Sequence, residues 1–322
     1  MRKVLCVATL LLTSSPGLAA GGADPDTGIQ RIGILRADPS FDPSFDSFRK
    51  TLQTLGYVEG RNVAYDYRLA PPAELPQAAN DLAASGVDLM VAVGTPAALA
   101  AKQASPPIPI VFVAADPVGS GLVASLARPG GNATGVASMT AELGVKRLEL
   151  LRELLPRATR LAVLINPDSP GSQIQLRRLE PVASNLGFRR QILNVRRRED
   201  LDGVLAVLDR KHFDAFIVVL DAVLFGSEAR IAQHSLKSRV PGVFAFRAAV
   251  DAGGLVSYGA DVHALFHKAA AMADKVLKGM KPADLPVEQP ERFELIVNFR
   301  TAKAIGLAVP ESVLLRADEV IR

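Results

Sequence analysis

The sequence is poor in the side chains that most often carry covalent catalysis or hold metals: its 322 residues include one cysteine, four histidines and no tryptophan. One cysteine forms neither an internal disulfide nor a cysteine-based zinc site. His263 and His267 share a helix face at a spacing of four. No third ligand accompanies them at a recognised spacing, so a solvated face is the better interpretation. Because G-x-S-x-G, P-loop, H-E-x-x-H and complete G-x-G-x-x-G motifs are also missing from the sequence, we predict no enzyme, no metal and no cofactor.

The sequence also lacks a large excess of charge of one sign. Its 37 basic and 33 acidic side chains give a net charge of only +4. This excess is too small for nucleic-acid binding, so we expect no nucleic-acid partner. The basic cluster of Arg189, Arg190 and 196–198 has no interleaved aromatic residues, which indicates a solvated surface. With 49% apolar and 22% charged residues, the chain is typical of soluble globular proteins. Its length predicts two lobes, because domains usually hold about 100–200 residues.

Residues 1–20 have the three parts of a secretory signal peptide. Arg2 and Lys3 precede the apolar run 4–12, and small residues follow near Ala20. A membrane-spanning helix needs about 20 apolar residues, roughly twice this run, so an anchor is the weaker interpretation. Removal of these 20 residues leaves 302, with no cysteine and with 35 basic against 33 acidic side chains. We therefore expect export to the periplasm.

Short apolar runs alternate with helical patterns along the remaining chain. This alternation predicts parallel sheets covered by helices on both faces, and the series occurs twice. We therefore predict an α/β fold of two Rossmann-like lobes. Three prolines in 281–293 predict an extended crossing segment. The predicted strands are 31–35, 62–68, 87–93, 108–113 and 133–138 in the first lobe, and 160–165, 190–195, 213–220, 243–246 and 255–258 in the second.

Residues that follow the strands are the candidates for a ligand site, because open α/β sheets bind ligands outside the carboxyl ends of their strands. Thr95 is suited to cap a helix, and Pro96 to occupy its first position. Free N–H groups at such a helix start bind carboxylate or phosphate, although simple capping explains the same residues. The loop from Asn166 to Ser169, followed by a proline, repeats this pattern in the second lobe.

Charged and aromatic residues near the same strand ends add candidates. Asp116 and Asp221 suit a ligand ammonium group, or serve as turn residues. Arg36 and Arg247 suit an acid group, or lie solvated at the surface. Aromatic rings at these positions sandwich a flat ligand or join the core. We assign Phe45 to the core, and to the cleft the rings of Phe41, Phe246 and Tyr258.

Seven stretches of the sequence stand out together, in this order: 55–62 (LGYVEGRN), 93–97 (VGTPA), 116–118 (DPV), 125–135 (SLARPGGNATG), 253–259 (GGLVSYG), 278–290 and 316–321. They resemble the ABC transporter substrate-binding protein family that includes the tryptophan-type binding proteins. The resemblance runs from near residue 30 to the C-terminus and so covers almost the whole mature chain.

The resemblance implies the type I periplasmic binding fold, in which crossing hinge strands join two lobes that close on a small ligand. The expected N-terminal lobe is 29–139 with a return at about 254–284. The expected C-terminal lobe is 140–253 with a return at about 285–322. The implied partners are an ABC permease and its cytoplasmic ATPase, and we expect the chain itself to be a monomer.

The resemblance also implies an amino acid or a related carboxylate as the ligand, with aromatic amino acids included. Its carboxylate would meet helix N-termini, its ammonium a carboxylate, and its apolar part aromatic rings, before hinge closure buries it. The predicted ligand contacts are Arg36, Phe41, Gly94, Thr95, Ala97, Asp116, Pro117, Asn166, Ser169, Asp221, Phe246 and Tyr258.

Two other classes of function stay open at this point. One is a soluble sensory ligand-binding module of the same fold, which neighbouring permease and ATPase genes would argue against. The other is an exported α/β enzyme, which turnover of a bound compound would support.

Overall fold

The computed structural model describes residues 28–37 and 43–322. A first sheet of five strands has the order β2-β1-β3-β4-β5, and every pair in it is parallel. The predicted signal peptide and Phe41 lie outside the described residues. The strands of this sheet are β1 (Gln30–Arg36), β2 (Val63–Leu69), β3 (Leu89–Val93), β4 (Ile110–Ala114) and β5 (Ala133–Ala137).

The central strands of this sheet are short apolar runs because helices cover both of its faces. All five residues of β4, Ile-Val-Phe-Val-Ala, are buried. On one face they pack against α2 and α3, and on the other against α1 and α10. The helices are α1 (Pro43–Thr54), α2 (Leu75–Ala84), α3 (Thr95–Gln103), α4 (Thr140–Leu154), α5 (Pro170–Asn185), α6 (Leu201–Val207), α7 (Ala222–Phe225), α8 (Glu228–Ser238), α9 (Arg247–Asp251), α10 (Val262–Leu277), α11 (Phe299–Ile305) and α12 (Glu311–Arg316).

A second sheet has seven strands in the order β12-β11-β10-β9-β8-β6-β7. Only the β10–β11 pair is antiparallel among the pairs that the described residues form. Helices α4, α5, α11 and α12 cover one face, and α6, α8 and α9 the other. The strands are β6 (Arg160–Ile165), β7 (Arg189–Asn194), β8 (Ala215–Val219), β9 (Gly242–Phe244), β10 (Val256–Ala260), β11 (Phe293–Asn298) and β12 (Glu319–Ile321).

We call the first sheet with α1, α2, α3 and α10 the first lobe, and the second sheet with the remaining helices the second lobe. The chain passes between them three times: from β5 to α4, from β10 to α10, and through residues 278–292 to β11. Met139, at the first passage, has a φ of 56°, a left-handed value that non-glycine residues seldom adopt. The third passage pairs with the edge of the first sheet, where Glu288 N donates to Gly135 O at 2.9 Å.

The observed passages differ from the expected domain limits in two respects. Leu285 and Val287, which we expected in the C-terminal lobe, are buried in the cores of the first lobe. We expected all of 254–284 to return to the first lobe, but β10 lies in the second sheet between β9 and β11. Helix α10 does pack on the first lobe, against α1. The strand stays in the second sheet because it pairs with β9 in parallel and with β11 in antiparallel fashion.

A buried arginine ties two of these passages together. Arg147 on α4 donates from Nε to Tyr258 O at 2.9 Å and from Nη1 to Thr140 O at 3.3 Å. Burial lowers the pKa of Arg147 to about 10, although the nearby Glu228 carboxylate acts in the opposite direction. The guanidinium therefore fixes both chain crossings to the second lobe.

Candidate functional site

A cavity of about 130 Å³ lies between the two lobes at the carboxyl ends of their parallel strands. This is the position at which open α/β sheets bind ligands. The first-lobe side carries the end of β1, the start of α3, the loop after β4 and the start of α10. The second-lobe side carries the starts of α4 and α5, the loop after β8, α7 and the residue before α9.

The first-lobe wall is built around the start of α3. We expected Thr95 to cap this helix, but the helix begins at Thr95 itself, and Gly94 occupies the cap position with a φ of 90°. That backbone conformation favours glycine. Because Thr95 is not the cap residue, its hydroxyl does not cap the helix and instead accepts a hydrogen bond from Ala115 N at 3.4 Å. Thr95 therefore links the ends of β3 and β4, and Arg36 at the end of β1 lines the same wall.

The second-lobe wall contains the start of the 16-residue helix α5. Ser169 caps it as the sequence predicts, accepting from Ser172 N at 3.4 Å, and a proline follows at the first helical position. The first N–H groups of a helix have no intrahelical acceptor and attract anions. Ser172 is fully buried and lines the cavity, and its Oγ has no hydrogen-bond partner among the described residues. The wall therefore places the unused Ser172 hydroxyl and the N–H of Gly171 at the start of the same helix.

Asp221 supplies a partly buried carboxylate to the same wall. Its Oδ2 accepts from Asn166 Nδ2 at 2.6 Å, and its Oδ1 accepts from Leu224 N at 2.9 Å. Both donors are neutral, and within residues 28–37 and 43–322 no salt bridge involves Asp221. Burial raises the pKa of Asp221, and the hydrogen bonds from Leu224 and Asn166 oppose that effect. A cationic group that enters the cavity would find here a carboxylate without a counterion.

Asp116, the other carboxylate of the cavity, is already paired. Its Oδ1 accepts from Gly119 N at 2.8 Å, and its Oδ2 accepts from Arg178 Nη2 at 3.0 Å. Arg178 belongs to α5, so this ion pair crosses from the first lobe to the second.

The remainder of the cavity is largely apolar. Phe225 and Phe246 meet edge to face, with ring centroids 5.5 Å apart and an interplanar angle of 85°. Phe266, Val262 and Leu265 face the cavity from the start of α10. Small-molecule sites combine such apolar walls with a few polar groups that fix orientation.

The structure brings seven of the twelve predicted contact residues to the cavity, namely Arg36, Gly94, Thr95, Asp116, Ser169, Asp221 and Phe246. Ala97 lies on the buried face of α3 and is fully buried in the core of the first lobe, and Pro117 is buried in the loop after β4. Asn166 lies behind Asp221 and donates to it. The Tyr258 ring, which we expected in the cleft, packs against the Phe293 ring, with the two ring centroids 6.3 Å apart. β10 directs this ring to the face of the second sheet that α4, α5, α11 and α12 cover.

Two further expectations concern residues outside this group. Arg247 lies at the surface, where it pairs with Glu319 and Asp251. Phe45 is buried in the core of the first lobe, as we expected.

In the described part of the chain, no three histidine, cysteine or carboxylate side chains cluster as metal ligands would. None of the described helices combines the length and the apolar character that a bilayer crossing requires.

Sequence reasoning missed several residues that line the cavity. Gln175 donates to Leu220 O at 3.0 Å from one turn further along α5, so its spacing of three from Ser172 was an available signal. Phe266 lies on the apolar stripe of α10, where its spacing indicates only core. The missed lining residues include Ser138, Thr140, Ser172, Gln175, Phe225 and Phe266.

Comparison with solved structures finds the same two-lobed fold. An ABC domain in complex with L-Trp from Streptococcus pneumonia is 27% identical, with a TM-score of 0.81 over 91% of this chain and 100% of that chain. A ligand-free, open substrate-binding protein with adhesive properties from Clostridium difficile is also 27% identical. Its TM-score is 0.60 over 91% of this chain and 99% of that chain. At equal identity, the conformation described here is thus more similar to the L-Trp complex than to the open protein.

Comparison of the sequence gives the family. The "Tyrosine-binding protein" of Clostridioides difficile (strain R20291) is 30% identical over an alignment of 285 residues, and the match covers 86% of this chain and 81% of that protein. The family model described as "ABC transporter substrate binding protein" matches residues 32–321. With its type I periplasmic binding fold and its cleft between two lobes, the chain therefore belongs to the ABC transporter substrate-binding protein family.

Proposed function

We propose that this chain is the periplasmic substrate-binding component of an ABC importer and that it captures an amino acid with an aromatic or other bulky apolar side chain. The observation that carries the proposal is Asp221, a partly buried cleft carboxylate whose partners are neutral donors. Burial of an unpaired carboxylate is costly, and an incoming ammonium group would offset that cost.

The ligand carboxylate is assigned to the start of α5. Ser172 Oγ has no partner among the described residues, and the N–H of Gly171, which follows the proline at the first helical position, lies at the positive end of the helix dipole. Because Ser172 and Asp221 belong to the same lobe, that lobe would hold both charged groups of a zwitterion.

The ligand side chain is assigned to the apolar part of the cleft, between Phe225 and Phe246 on one side and Phe266 on the other. The cavity volume of about 130 Å³ is close to the ~150 Å³ of an engineered apolar cavity that accepts benzene. An aromatic ring therefore fits in size. The names of the relatives, one tyrosine-binding and one in complex with L-Trp, agree with this assignment.

Capture would proceed by hinge closure around the three chain passages, after which the closed form would deliver its ligand to a permease that a cytoplasmic ATPase drives. We further propose that residues 1–20 direct export and that the mature chain is a monomer. N-terminal sequencing of the exported protein and light scattering of the purified one test these two points.

The ligand proposal is tested by calorimetry with three matched compounds: L-tyrosine, tyramine, which lacks the carboxylate, and 3-(4-hydroxyphenyl)propionate, which lacks the ammonium. L-tryptophan and L-phenylalanine give the parallel series. Measurable binding of at least one amino acid, with binding of both of its truncated analogues weakened by about tenfold or more, supports the proposal.

Equal binding of the amino acid and its ammonium-free analogue would overturn the assignment of Asp221. Absence of binding across the series would overturn the assignment of an aromatic amino acid. Mass spectrometry of the recovered compound checks that it leaves the protein chemically unchanged, and conversion to a product would instead support the enzyme alternative.

A further inference from the structure

The contact between Asp116 and Arg178 is an ion pair that joins the two lobes across the mouth of the cleft. Asp116 follows β4 of the first lobe, and Arg178 lies on α5 of the second lobe, 62 positions later. Nη2 and Oδ2 are 3.0 Å apart, and the Asp116 side chain is only 14% exposed. Rotation of the lobes away from each other must separate these two groups, because each is fixed to its own lobe.

Both partners are held in position before they meet. Arg178 Nη1 donates to Glu142 Oε1 at 3.0 Å, and Glu142 is in the first turn of α4, in the same lobe as Arg178. Asp116 is held by the N–H of Gly119 in its own loop. Since lobe opening breaks neither of these contacts, closing the cleft orders few additional side-chain torsions. One reason that exposed ion pairs contribute little is that two long side chains lose conformational freedom when they pair. That loss is smaller here, because Glu142 and Gly119 already restrict the two partners.

We infer that Asp116 and Arg178 form a latch that stabilises the closed cleft and slows ligand release, and that they act as positioning residues, with no direct bond to the ligand. This inference rests on the proposed function, since a latch matters only if the lobes open and close around a ligand. It also assigns the two cleft carboxylates different tasks: Asp221 meets the ligand, and Asp116 meets the opposite lobe.

The first test compares Arg178→Met with Asp116→Asn by calorimetry and stopped-flow binding of L-tyrosine or L-tryptophan. A latch predicts that both variants weaken binding by about three- to tenfold, mainly through faster dissociation. It also predicts that the double variant is no weaker than the single ones. If Asp116 instead receives the ligand ammonium, Arg178→Met frees that carboxylate and tightens binding while Asp116→Asn weakens it. Effects of opposite sign would therefore overturn the latch.

A second variant displaces the latch without altering any charge. A Cβ on Gly119 would lie 2.2 Å from Asp116 Oδ2, the oxygen that accepts from Arg178, and Gly119 has no positive φ. Gly119→Ala should therefore reproduce the faster dissociation of Arg178→Met. Arg190→Met is the matched control, because Arg190 Nη2 pairs with Glu180 Oε1 at 3.0 Å within the second lobe alone. An equal loss of affinity in Arg190→Met would contradict a specific role for the pair across the cleft.

The last test needs no ligand and so separates failure of the latch from failure of the proposed function. Spin labels on Gln103→Cys in α3 and Asn185→Cys in α5, in a Cys6→Ser background, report the distance between the lobes. Both labelled positions are exposed. In ligand-free protein, Arg178→Met should shift the distance distribution towards longer values, and Arg178→Lys should restore part of the shorter population. Identical distributions in the wild type and Arg178→Met would overturn the latch even if an amino acid binds.

Discussion

The two lobes bring different chemistry to one cleft, and the difference is sharpest between Asp116 and Asp221. Each aspartate follows a buried parallel strand, β4 or β8, and each lines the cavity. Asp116 is paired with an arginine of the opposite lobe, whereas Asp221 receives only neutral donors from its own lobe. The comparison shows that the tertiary partner of a carboxylate, more than its place at a strand end, decides whether a ligand can use its charge.

The polar groups of the two walls follow the same division. On the first-lobe wall the Thr95 hydroxyl is engaged by Ala115 N, so its hydrogen-bonding capacity is partly used. On the second-lobe wall Ser172 Oγ is unused by the described residues. We therefore expect substitutions in the second-lobe wall to affect ligand binding more strongly than equivalent substitutions in the first-lobe wall.

The largest effect should come from Asp221→Asn. Loss of the charge opposite a ligand ammonium removes a charge-assisted interaction of about 1.5–3 kcal/mol, which raises Kd by roughly ten- to a hundredfold. Calorimetry with L-tyrosine or L-tryptophan measures this change. Asp202→Asn, at an exposed position paired with Arg230, is the matched control and should leave Kd unchanged. A smaller loss of affinity in Asp221→Asn than in Asp116→Asn would reverse the comparison between the two aspartates.

Ser172→Ala should have a smaller effect on ligand binding than Asp221→Asn. It should weaken binding but stabilise the ligand-free protein. Removing a buried hydroxyl without a partner should stabilise the ligand-free protein by up to about 1 kcal/mol, because its desolvation is uncompensated. The same change should weaken ligand binding by about three- to tenfold, because the ligand carboxylate loses a donor. Urea denaturation and calorimetry measure the two quantities.

Ser184→Ala is the control on the same helix, since Ser184 is exposed and donates to Glu180 O. If Ser172→Ala lowers the free energy of unfolding and leaves Kd unchanged, the carboxylate does not bind at the start of α5.

The smallest effect should come from pH. Burial raises the pKa of Asp221 above its ordinary value of 3.8, so the folded, ligand-free protein takes up a proton as pH falls through that raised value. An ammonium ligand requires the ionised form, so its affinity should fall as pH is lowered from about 7 towards the raised pKa. The stability of the ligand-free protein changes in the opposite direction from the ligand affinity. A proton held only by the folded state makes the ligand-free protein more stable as pH falls.

Asp221→Asn should abolish the Asp221 component of this pH dependence, which calorimetry at a series of pH values measures. Protonation of Asp221 removes the same negative charge as Asp221→Asn. The loss of ligand affinity that this protonation causes at low pH therefore cannot exceed the loss in the variant. A pH profile that is identical in the wild type and Asp221→Asn would show that another group controls it.

Much of the fold could be predicted because its signals are local. β6 was predicted at 160–165 and is observed at Arg160–Ile165, since a run of buried apolar residues identifies a strand from its own sequence. Ser169 was predicted as a helix cap from its position before a proline. Thr95 was misassigned by one position, because only the observed φ of Gly94 identifies that glycine as the cap residue.

The errors at the site have a different physical origin. Tyr258 lies at the end of a predicted strand, a position that indicates the cleft, but its ring packs on Phe293 of the antiparallel neighbour β11. β11 itself was not predicted. Phe266 was missed for the converse reason, since its helical spacing indicates core and only the passage from β10 to α10 brings it to the cleft.

The sequence by itself determined the α/β class, the two successive lobes, the helix starts at the strand ends and the family, because each depends on neighbouring residues or on ordered motifs. The tertiary structure alone decided that Asp116 faces Arg178, that Asp221 lacks a cationic partner among the described residues, and that Ser172 Oγ stays unused. These facts depend on how two lobes meet across a cleft. Groups 62 positions apart come within 3.0 Å there, a distance that no local pattern encodes.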